Sequence, residues 1–368
     1  MTAICIERGT FSAADLNLAQ GEPEKAIGQQ RLVVGQVVRI KREDSRVRWR
    51  KPHLRTPGYL FGAVGVVERF IGHFPNPEEK AFSSNQEPGT QPLYLVAFKN
   101  KDLWEGMEMH GEDGITAEIY QPWLDIVDGK NDANADTKVV RDIKVVSSKV
   151  DHGDHVHDTR YETETEALRR ETVHDDPIGK KTGEVLLKVL LEKKVLHINK
   201  IQEVVEKMDS TGKMLLGQQL VVKAWTDPEF KQRLLDDGNA AAEELGMVAS
   251  NANAPTKFLV VENTITTHHL IVCTLCSCYP SSIMGMAPSW YKSRSYRARA
   301  IREPRKVLLE FGLILPKEMS LVVHDSTADC RYMVLPKRPE GTEGWGEKEL
   351  IGIVNRDCLL GVAVPREK

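Results

Sequence analysis

The sequence predicts an α+β multidomain protein with two unlike halves joined by a polar linker. Residues 31–127 contain short stretches of alternating apolar and polar residues broken by Gly, Pro and Asn, a pattern typical of a small all-β barrel. Residues 182–368 begin with helical periodicity and continue with strands alternating with helices, which indicates a helical arm followed by an α/β layered domain. The 368 residues are enough for two or three ordinary domains.

The first half follows residues 1–30, which have weak periodicity and are predicted to form an N-terminal extension. Four stretches then carry the strand pattern, with glycines at plausible bends. These are LVVGQVVRIKR (32–42), YLFGAVGVVERFIG (59–72), PLYLVAFKNKDLW (92–104) and ITAEIYQPWLDIV (115–127).

Residues 128–181 are predicted to be a linker, because they are polar and too poor in apolar residues to bury a core. The helical arm, 183–247, follows. EVLLKVLLEKKVL (184–196) and INKIQEVVEKM (198–208) repeat apolar residues at three- and four-residue spacing. Asp227-Pro228 marks a helix start and Gly246 a helix stop.

The α/β core is predicted over 256–365. A single helix is expected over 293–312, where SRSYRARAIREPRKVLLEFG has the helical pattern. The strands are predicted at KFLVVENT, HHLIVC, SLVVHD and RYMVLP.

Composition excludes several classes of function. The formal net charge of −3 gives no general attraction to nucleic acid or membrane, and apolar runs such as 270–272 are too short to span a bilayer. The first ten residues lack the pattern of a signal peptide, so a cytoplasmic, reducing location is expected. Six cysteines in so long a chain do not form a disulfide framework.

Three of those cysteines, Cys273, Cys276 and Cys278, are crowded into the sequence VCTLCSCYP. A structural zinc site would need a fourth ligand from elsewhere, and an iron–sulfur cluster would need a fourth cysteine. A dithiol redox motif would leave one of the three unexplained. These alternatives stay open on spacing alone.

The spacing also permits a less common metal site. Only Ser277 separates Cys276 from Cys278, so two sulfurs on one metal would bring the amide nitrogens of Ser277 and Cys278 close to it. Deprotonated amides and thiolates form a strong-field planar set, with Cys273 available as an axial sulfur and one position open. This ligand field suits trivalent cobalt or iron rather than zinc.

VCTLCSCYP resembles the metal-binding claw of the α subunit of nitrile hydratase, in a family that also includes thiocyanate hydrolase. We call residues 273–278 the claw loop. The resemblance continues almost without a break from 183 to 365, through VVKAWTDPEFKQRLLDDG (221–238), MGMAPSWYKSRSYRARAIREPRKVLLEFG (284–312), RYMVLPKRPEGTEGWGEKEL (331–350) and RDCLLGVAVP (356–365). It implies an α-subunit-type metal-binding fold for residues 182–368.

The first half is similar to the C-terminal, SH3-like barrel of the family's β subunit. HLRTPGYLFGAVGVVE (53–68) matches the pattern HTR-x-P-x-Y-x-x-G-x-x-G, although Leu54 replaces the usual Thr and Phe61 a frequent Arg. The β-like half precedes the α-like half, which implies a fusion of two ancestral chains.

The resemblance implies that Cys276 and Cys278 are oxidised to sulfinate and sulfenate, with Cys273 an axial thiolate. It implies metal ligation by the three cysteines and Ser277, and catalytic roles for Cys278, Ser277 and Arg55. Arg55 matches a family arginine that binds the oxidised sulfurs, although the residues alone favour a place on a basic strand face. Thr274 with Tyr279 resembles the cobalt type, so cobalt(III) is expected rather than iron(III).

The implied reaction is hydration of a nitrile to an amide, which makes the protein a hydro-lyase. Thiocyanate hydrolysis to carbonyl sulfide and ammonia is the alternative. The helical N-terminal portion of the family's β chain, which supplies a second arginine, has no match here. A separate small helical subunit in a hetero-oligomer is therefore expected; residues 128–181 or a second copy could also fill this place, and an activator could load the metal.

Two further stretches allow other interpretations. DHGDHVHD (151–158) carries His152, His155 and His157, which form either a solvated linker or a transient cobalt-capture site. RIKREDSRVRWRKPHLR (39–55) has eight Lys/Arg against two acids, so a nucleic-acid-binding adaptor is a distant alternative. Its one aromatic residue and the net negative charge of the chain argue against it.

Overall fold

The structure is a computed structural model that describes residues 31–42, 54–82, 88–104, 110–127, 177–197, 216–250, 256–276 and 278–367. The chain divides into two compact units, residues 1–33 and 34–368, and every element named below lies in the second. Predictions for Ser277, for the histidines of DHGDHVHD and for most of the basic stretch fall outside the described residues.

The first half contributes five strands and two short helices. Each of the four predicted stretches contains a strand, and the last contains two, separated by a 3-10 turn at Gln121–Trp123. In the stretch 92–104 the strand ends at Lys99, and the residues that follow form one helical turn. In chain order the elements are β1 (Val37–Ile40), β2 (Val64–Pro75), α1 (Pro77–Phe82), β3 (Thr90–Lys99), α2 (Asn100–Leu103), β4 (Gly114–Tyr120) and β5 (Leu124–Ile126).

The second half supplies the remaining helices and four strands, and the four strands lie at the predicted places. The arm contains α3 (Pro177–Glu192), α4 (Leu216–Thr226), α5 (Pro228–Asp236) and α6 (Gly238–Glu244). The core contains β6 (Lys257–Glu262), β7 (Thr267–Val272), α7 (Ser281–Met284), α8 (Ser289–Lys292), α9 (Arg294–Arg302), α10 (Pro304–Glu310), β8 (Ser320–Asp325), β9 (Cys330–Leu335), α11 (Glu347–Ile353) and α12 (Arg356–Leu360).

Two helix boundaries differ from the prediction. The single helix expected over 293–312 is two helices, α9 and α10, because Pro304 cannot donate a backbone hydrogen bond and its ring clashes with the preceding turn. Helix α3 begins at Pro177, inside the range predicted as linker; proline is well tolerated in the first turn of a helix. The predicted start at Asp227 is confirmed, since its carboxylate accepts from the amide of Phe230.

One mixed seven-stranded sheet joins the two halves, in the order β5-β1-β2-β3-β4-β8-β7. Neighbouring strands of the first half are antiparallel, whereas β4–β8 and β8–β7 are parallel pairs. Strands β6 and β9 form a separate parallel pair. The architecture is therefore an α/β arrangement of a mixed sheet, a separate parallel pair of strands and helices.

A buried ion pair also links the halves. Arg305 at the start of α10 donates through Nε and Nη2 to the carboxylate of Asp113, at 2.7 and 2.8 Å. The side chain of Asp113 is almost fully enclosed, and its Oδ1 also accepts from the amide of Leu321 at the start of β8. Asp113 thus fixes the edge of β4 against the edge of β8. No described helix is both long and apolar enough to cross a bilayer.

Candidate metal centre

The three cysteines of the claw loop converge at the carboxyl end of β7. Cys273 directly follows the strand, and the sulfur atoms of all three lie within 4.8 Å of one another. The Cys273–Cys276 and Cys276–Cys278 sulfur distances are 3.4 and 2.9 Å. Cys273 is buried, Cys276 is exposed and Cys278 is half-buried, so the cluster has one closed side and one side open to a small molecule.

The arrangement favours a bound cation. Hydrogen bonding to Cys276 and burial raise the pKa of the Cys273 thiol to about 11, and hydrogen bonds to the other two thiols and burial raise that of Cys278 as well. Three adjacent thiolates would repel one another without a positive charge between them, and a coordinated metal supplies that charge. The donor set therefore fits a thiophilic metal ion.

Asp325 anchors the claw loop from the neighbouring strand. It is the last residue of β8 and pairs in register with Val272. Its carboxylate accepts from the amide of Thr274 at 2.8 Å and from the Thr274 hydroxyl at 2.6 Å. It also accepts from the hydroxyl of Tyr59, in the first half, at 2.9 Å. Burial raises the pKa of Asp325 to about 6.

Two side chains of the helices after the claw loop hold its carbonyl oxygens. Arg297 on α9 donates through Nη1 to the carbonyls of Cys276 and Thr274, at 2.8 and 3.3 Å. Tyr291 on α8 donates its hydroxyl to the carbonyl of Cys278 at 2.7 Å. These contacts fix the loop backbone on both sides of residue 277.

Arg55 lies with the loop that connects β8 to β9. Its Nη1 donates to Asp329 at 2.7 Å, and the other carboxylate oxygen of Asp329 accepts from the Tyr120 hydroxyl at 2.9 Å. The described ion pair of Arg55 is therefore with a carboxylate, and its predicted contact with the oxidised cysteines stays a prediction.

Glu118 on β4 holds the same β8–β9 loop from below. One carboxylate oxygen accepts from the amide and the hydroxyl of Thr327, at 2.9 and 2.7 Å, and the other accepts from the hydroxyl of Tyr332. Burial raises the pKa of Glu118 to about 7. Glu118 thus holds Thr327, and Asp329 lies two residues further along the same loop. By this contact β4 helps to position the carboxylate that pairs with Arg55.

A chain of polar groups lies behind the cysteines. Thr116 contacts His324 Nδ1 at 2.8 Å, and His324 Nε2 contacts His269 Nδ1 at 2.8 Å. Burial lowers the pKa of His324 well below its usual value and that of His269 to about 4, so both imidazoles are neutral near pH 7. Neighbouring His268 bonds to the carbonyl of Gly361.

Several residues of this site were not identified from the sequence. These are Glu118, Arg297, Asp325 and Asp329. The sequence contained one signal for Asp325. This residue ends a predicted strand, SLVVHD, and the cysteines follow another predicted strand, HHLIVC, so the two strand ends could lie at the same edge of a sheet. The contacts of Glu118 join residues more than 200 positions apart and leave no local pattern.

Comparisons with known proteins agree with this geometry. Residues 180–363 match the family model "Nitrile hydratase, alpha chain", and residues 22–126 match "Nitrile hydratase beta subunit, C-terminal". The chain is 45% identical over 175 residues to the cobalt-containing nitrile hydratase subunit alpha of Pseudonocardia thermophila, covering 47% of this chain and 84% of that protein. It is 48% identical over 161 residues to the thiocyanate hydrolase subunit gamma of Thiobacillus thioparus, covering 41% of this chain and 66% of that protein.

Among solved structures, a double mutant of the Fe-type nitrile hydratase from Comamonas testosteroni Ni1 aligns with 42% identity and a TM-score of 0.49. The alignment covers 52% of this chain and 92% of that one.

Proposed function

Since this chain belongs to the nitrile hydratase family, and nitrile hydratases are hydro-lyases, we propose that it hydrates nitriles to amides at a metal ion held by the claw loop. The observation that carries the proposal is the convergence of three cysteine sulfurs on one partly open point at the end of β7. The continuous family match over the same half supports it.

The proposed ligands are the sulfurs of Cys273, Cys276 and Cys278 and the main-chain nitrogens of Ser277 and Cys278. This set would hold a trivalent ion, which would supply Lewis acidity towards the nitrile nitrogen. Cobalt is favoured over iron, because cobalt-containing relatives are among the most similar proteins and Thr274 occupies the variable claw position.

The three cysteines would then have different roles. Cys273 is buried and stays an unmodified thiolate, whereas Cys276 and Cys278 on the open side carry the sulfinate and sulfenate oxygens. In one route the oxygen on Cys278 would activate a water, which forms the C–O bond as a nitrile π bond gives its electron pair to nitrogen. In the other, the oxygen on Cys278 would itself form the C–O bond, and a water would then attack the sulfur, break the S–O bond to the substrate and restore the sulfenate. In both routes the two hydrogens of one water end on the amide nitrogen, so the reaction consumes one water in total.

Arg55 is proposed to bind the oxygens of the oxidised cysteines. Its described bond to Asp329 uses Nη1, and a guanidinium has five N–H donors in a planar fork. Asp329 would then act as the anchor that aims the remaining donors at the claw loop. Tyr120, which also bonds to Asp329, would support the same orientation.

The first half is proposed to be an SH3-like barrel spanning 31–127, followed by a linker over 128–181 and the catalytic domain over 182–368. Support comes from the order β5-β1-β2-β3-β4 and from the 3-10 turn between β4 and β5. The match of residues 22–126 to the C-terminal model of the family's β chain supports the same division.

We further propose that the site is completed, within a hetero-oligomer, by a separate small helical subunit. The first half matches a model of the C-terminal part of the β chain, and thiocyanate hydrolase subunit gamma is among the relatives. Such a partner would bring a second cation to the open side of the cysteine cluster. An activator protein could serve metal loading.

Thiocyanate hydrolysis to carbonyl sulfide and ammonia is the second candidate. It is favoured by the 48% identity to the thiocyanate hydrolase subunit gamma, which is as high as the identity to the nitrile hydratase subunits. Both reactions use a small linear molecule with a carbon–nitrogen triple bond, so they differ in the walls of the pocket rather than in the claw loop.

Metal analysis combined with mass spectrometry of the 273–278 peptide tests the proposed centre on this chain alone. We expect one cobalt per chain, two oxygen atoms on Cys276 and one on Cys278. Zinc held by unmodified thiols, or unchanged activity after Cys278→Ser, would contradict the proposal.

The substrate is decided by assaying the cobalt-loaded protein with its co-purifying partner. Amide released from a simple nitrile supports nitrile hydration, whereas ammonia and carbonyl sulfide released from thiocyanate support the second candidate. Release of neither product by a correctly oxidised centre would exclude both.

A further inference from the structure

Arg297 is a cation that faces the claw loop and has no described acidic partner. Its Nη1 donates to the carbonyls of Cys276 and Thr274, and its Nε is buried with no hydrogen-bond acceptor among the described residues. A buried N–H without an acceptor costs free energy, so this nitrogen is suited to an acceptor that a loaded centre would bring.

Two other arginines of α9, Arg299 and Arg302, have different partners. Arg299 is bonded to Glu303 and Glu310, so carboxylates balance its charge. Arg302 lies over the ring of Trp104, 5.2 Å from the ring centroid. Of these three arginines, Arg297 is therefore the one whose described hydrogen bonds go to the claw loop.

The identity of the bonded carbonyl gives this charge a chemical role. The carbonyl oxygen of Cys276 belongs to the same peptide group as the nitrogen of Ser277. When a metal binds that nitrogen as an anion, amide resonance moves part of the negative charge onto the carbonyl oxygen. A guanidinium on that oxygen stabilises the charge, because hydrogen bonds between ionised partners are about twice as strong as neutral ones.

We propose that Arg297 is a positioning residue of the metal centre, which stabilises the metal-bound form of the Cys276–Ser277 peptide group through its carbonyl oxygen. The inference rests on the proposed function, because it requires that the nitrogen of Ser277 is a metal ligand. It adds an internal cation to the centre, which is independent of Arg55 and of any partner protein.

Tyr291 on α8 provides a matched control for the loss of a hydrogen bond to the claw loop. Its hydroxyl bonds to the carbonyl of Cys278, whose peptide group contains the nitrogen of Tyr279, and that nitrogen is not a proposed ligand. Tyr291→Phe therefore removes a neutral hydrogen bond from the same loop without touching a metal-bound peptide group. Arg294→Met removes an exposed arginine from the same helix and controls for net charge.

The test compares cobalt-loaded full-length protein of the wild type, R297M, R297K, Y291F and R294M. Each is exposed to excess chelator, and bound cobalt is followed by metal analysis and by the cobalt–sulfur absorption bands. We expect R297M to lose cobalt roughly tenfold faster than the wild type or more, the factor corresponding to one charged hydrogen bond. R297K should lie in between, Y291F should lose cobalt clearly more slowly than R297M because it breaks only a neutral hydrogen bond, and R294M should stay near the wild type.

Equal cobalt loss from R297M and Y291F would overturn the inference, since it would show that Arg297 only holds the loop in place. Retention by R297M at the wild-type rate would overturn it too. If R297M does not fold without metal, as judged by thermal unfolding of the apoprotein, the comparison of R297K with Y291F decides. A wild type that binds no cobalt through the claw loop would instead refute the proposed function itself.

Discussion

Glu118 is a single carboxyl group that the fold encloses completely, and its environment has a consequence for stability. Polar and acidic groups of other elements interact with it, among them Asp325 of β8, Tyr332 of β9 and Tyr59. Burial raises its pKa from 4.5 to about 7 because water no longer stabilises the charged form. Between these two values the unfolded chain has released its proton and the folded chain has not.

We therefore expect the ionisation of Glu118 to remove about 3 kcal/mol from the unfolding free energy as pH rises from 4.5 to 7, with no further effect above that range. Because Asp325, His269 and His324 also bind protons differently in the folded and unfolded chains, this contribution is the difference between the wild type and Glu118→Gln. Glu118→Gln keeps an acceptor for Thr327 but cannot ionise, so its unfolding free energy should lack this decline. Urea unfolding at several pH values between about 5 and 8 measures the difference. The raised pKa of Asp325 changes the unfolding free energy of both proteins alike, between pH 3.8 and about 6. If the plots of unfolding free energy against pH were parallel for the two proteins, the raised pKa assigned to Glu118 would be wrong.

Arg55 allows a second prediction at this scale. Arg55→Lys preserves the positive charge beside Asp329 but loses the planar fork that would reach the cysteine oxygens. We expect turnover to fall roughly tenfold or more, while the unfolding free energy changes by less than about 1 kcal/mol. Steady-state kinetics and urea unfolding measure the two effects.

Arg69→Lys is the matched control, because Arg69 donates to the carbonyl of Asp236 at an exposed place in the same half. If Arg55→Lys left turnover at the level of this control, Arg55 would belong to the ion pair with Asp329 alone.

At the scale of elements, the break at Pro304 separates α9 from α10. Ser293 caps the start of α9 by accepting from the amide of Tyr296, and Pro304 prevents the helix from continuing. Within the nine-residue helix that results, Arg297 near the middle bonds to the claw loop and Arg302 at the last position meets Trp104. A continuous helix over 293–312 would have changed the path of the chain into α10, where Arg305 meets Asp113.

The contact between β7 and the turn after α12 makes Gly361 a sharp test of packing. Gly361 has φ of 82°, and a Cβ there would lie 1.9 Å from the carbonyl oxygen of His269. Because a backbone atom of β7 cannot move aside cheaply, Gly361→Ala should destabilise the protein by about 3 kcal/mol or more. It should also displace β7, and so slow cobalt loading of the claw loop.

Gly361→Ala could destabilise the protein through the positive φ or through the clash with β7, and Gly341→Ala separates these two causes. Gly341 also has a positive φ, 84°, but a Cβ there would lie in open space. Thermal and urea unfolding of both variants measure the effect. Equal losses would show that backbone conformation, and not the clash with β7, sets the cost.

At the scale of the whole molecule, the two family matches share one sheet. The parallel β4–β8 pair, the Asp113–Arg305 ion pair and the bonds of Glu118 to the β8–β9 loop all cross between them. The cysteine cluster lies at the carboxyl end of β7, two strands from β4, so the second half builds its site against the first. A single polypeptide keeps the two parts in equal amounts.

This arrangement predicts the behaviour of a chain divided within 128–176. Residues 1–127 and 177–368 expressed together should co-purify as a complex, whereas 177–368 alone should aggregate, because β8 would expose an unpaired edge. Asp113→Asn in the divided protein should weaken the complex, since it leaves the Arg305 charge buried without its partner. Size-exclusion chromatography measures both effects, and a stable, monomeric 177–368 fragment would refute them.

The sequence by itself determined the features whose signal is local. Three cysteines within six residues indicate a metal site or thiol redox chemistry, alternation locates the strands, and Asp227-Pro228 starts a helix. These features depend on residues a few positions apart, so they can be read in any part of the chain.

Only the tertiary structure decided how the cysteines are held and by which partners. Asp325 with Thr274 and Tyr59, Glu118 with Thr327, and Arg297 with the carbonyl of Cys276 are brought together by strand order and helix packing. The partners of these side chains depend on which surfaces are buried together. Along the chain the bonded residues are 21 positions apart for Arg297 and Cys276 and 274 apart for Arg55 and Asp329. The physical reason is that burial, rather than sequence distance, makes a charged or polar group require a specific partner.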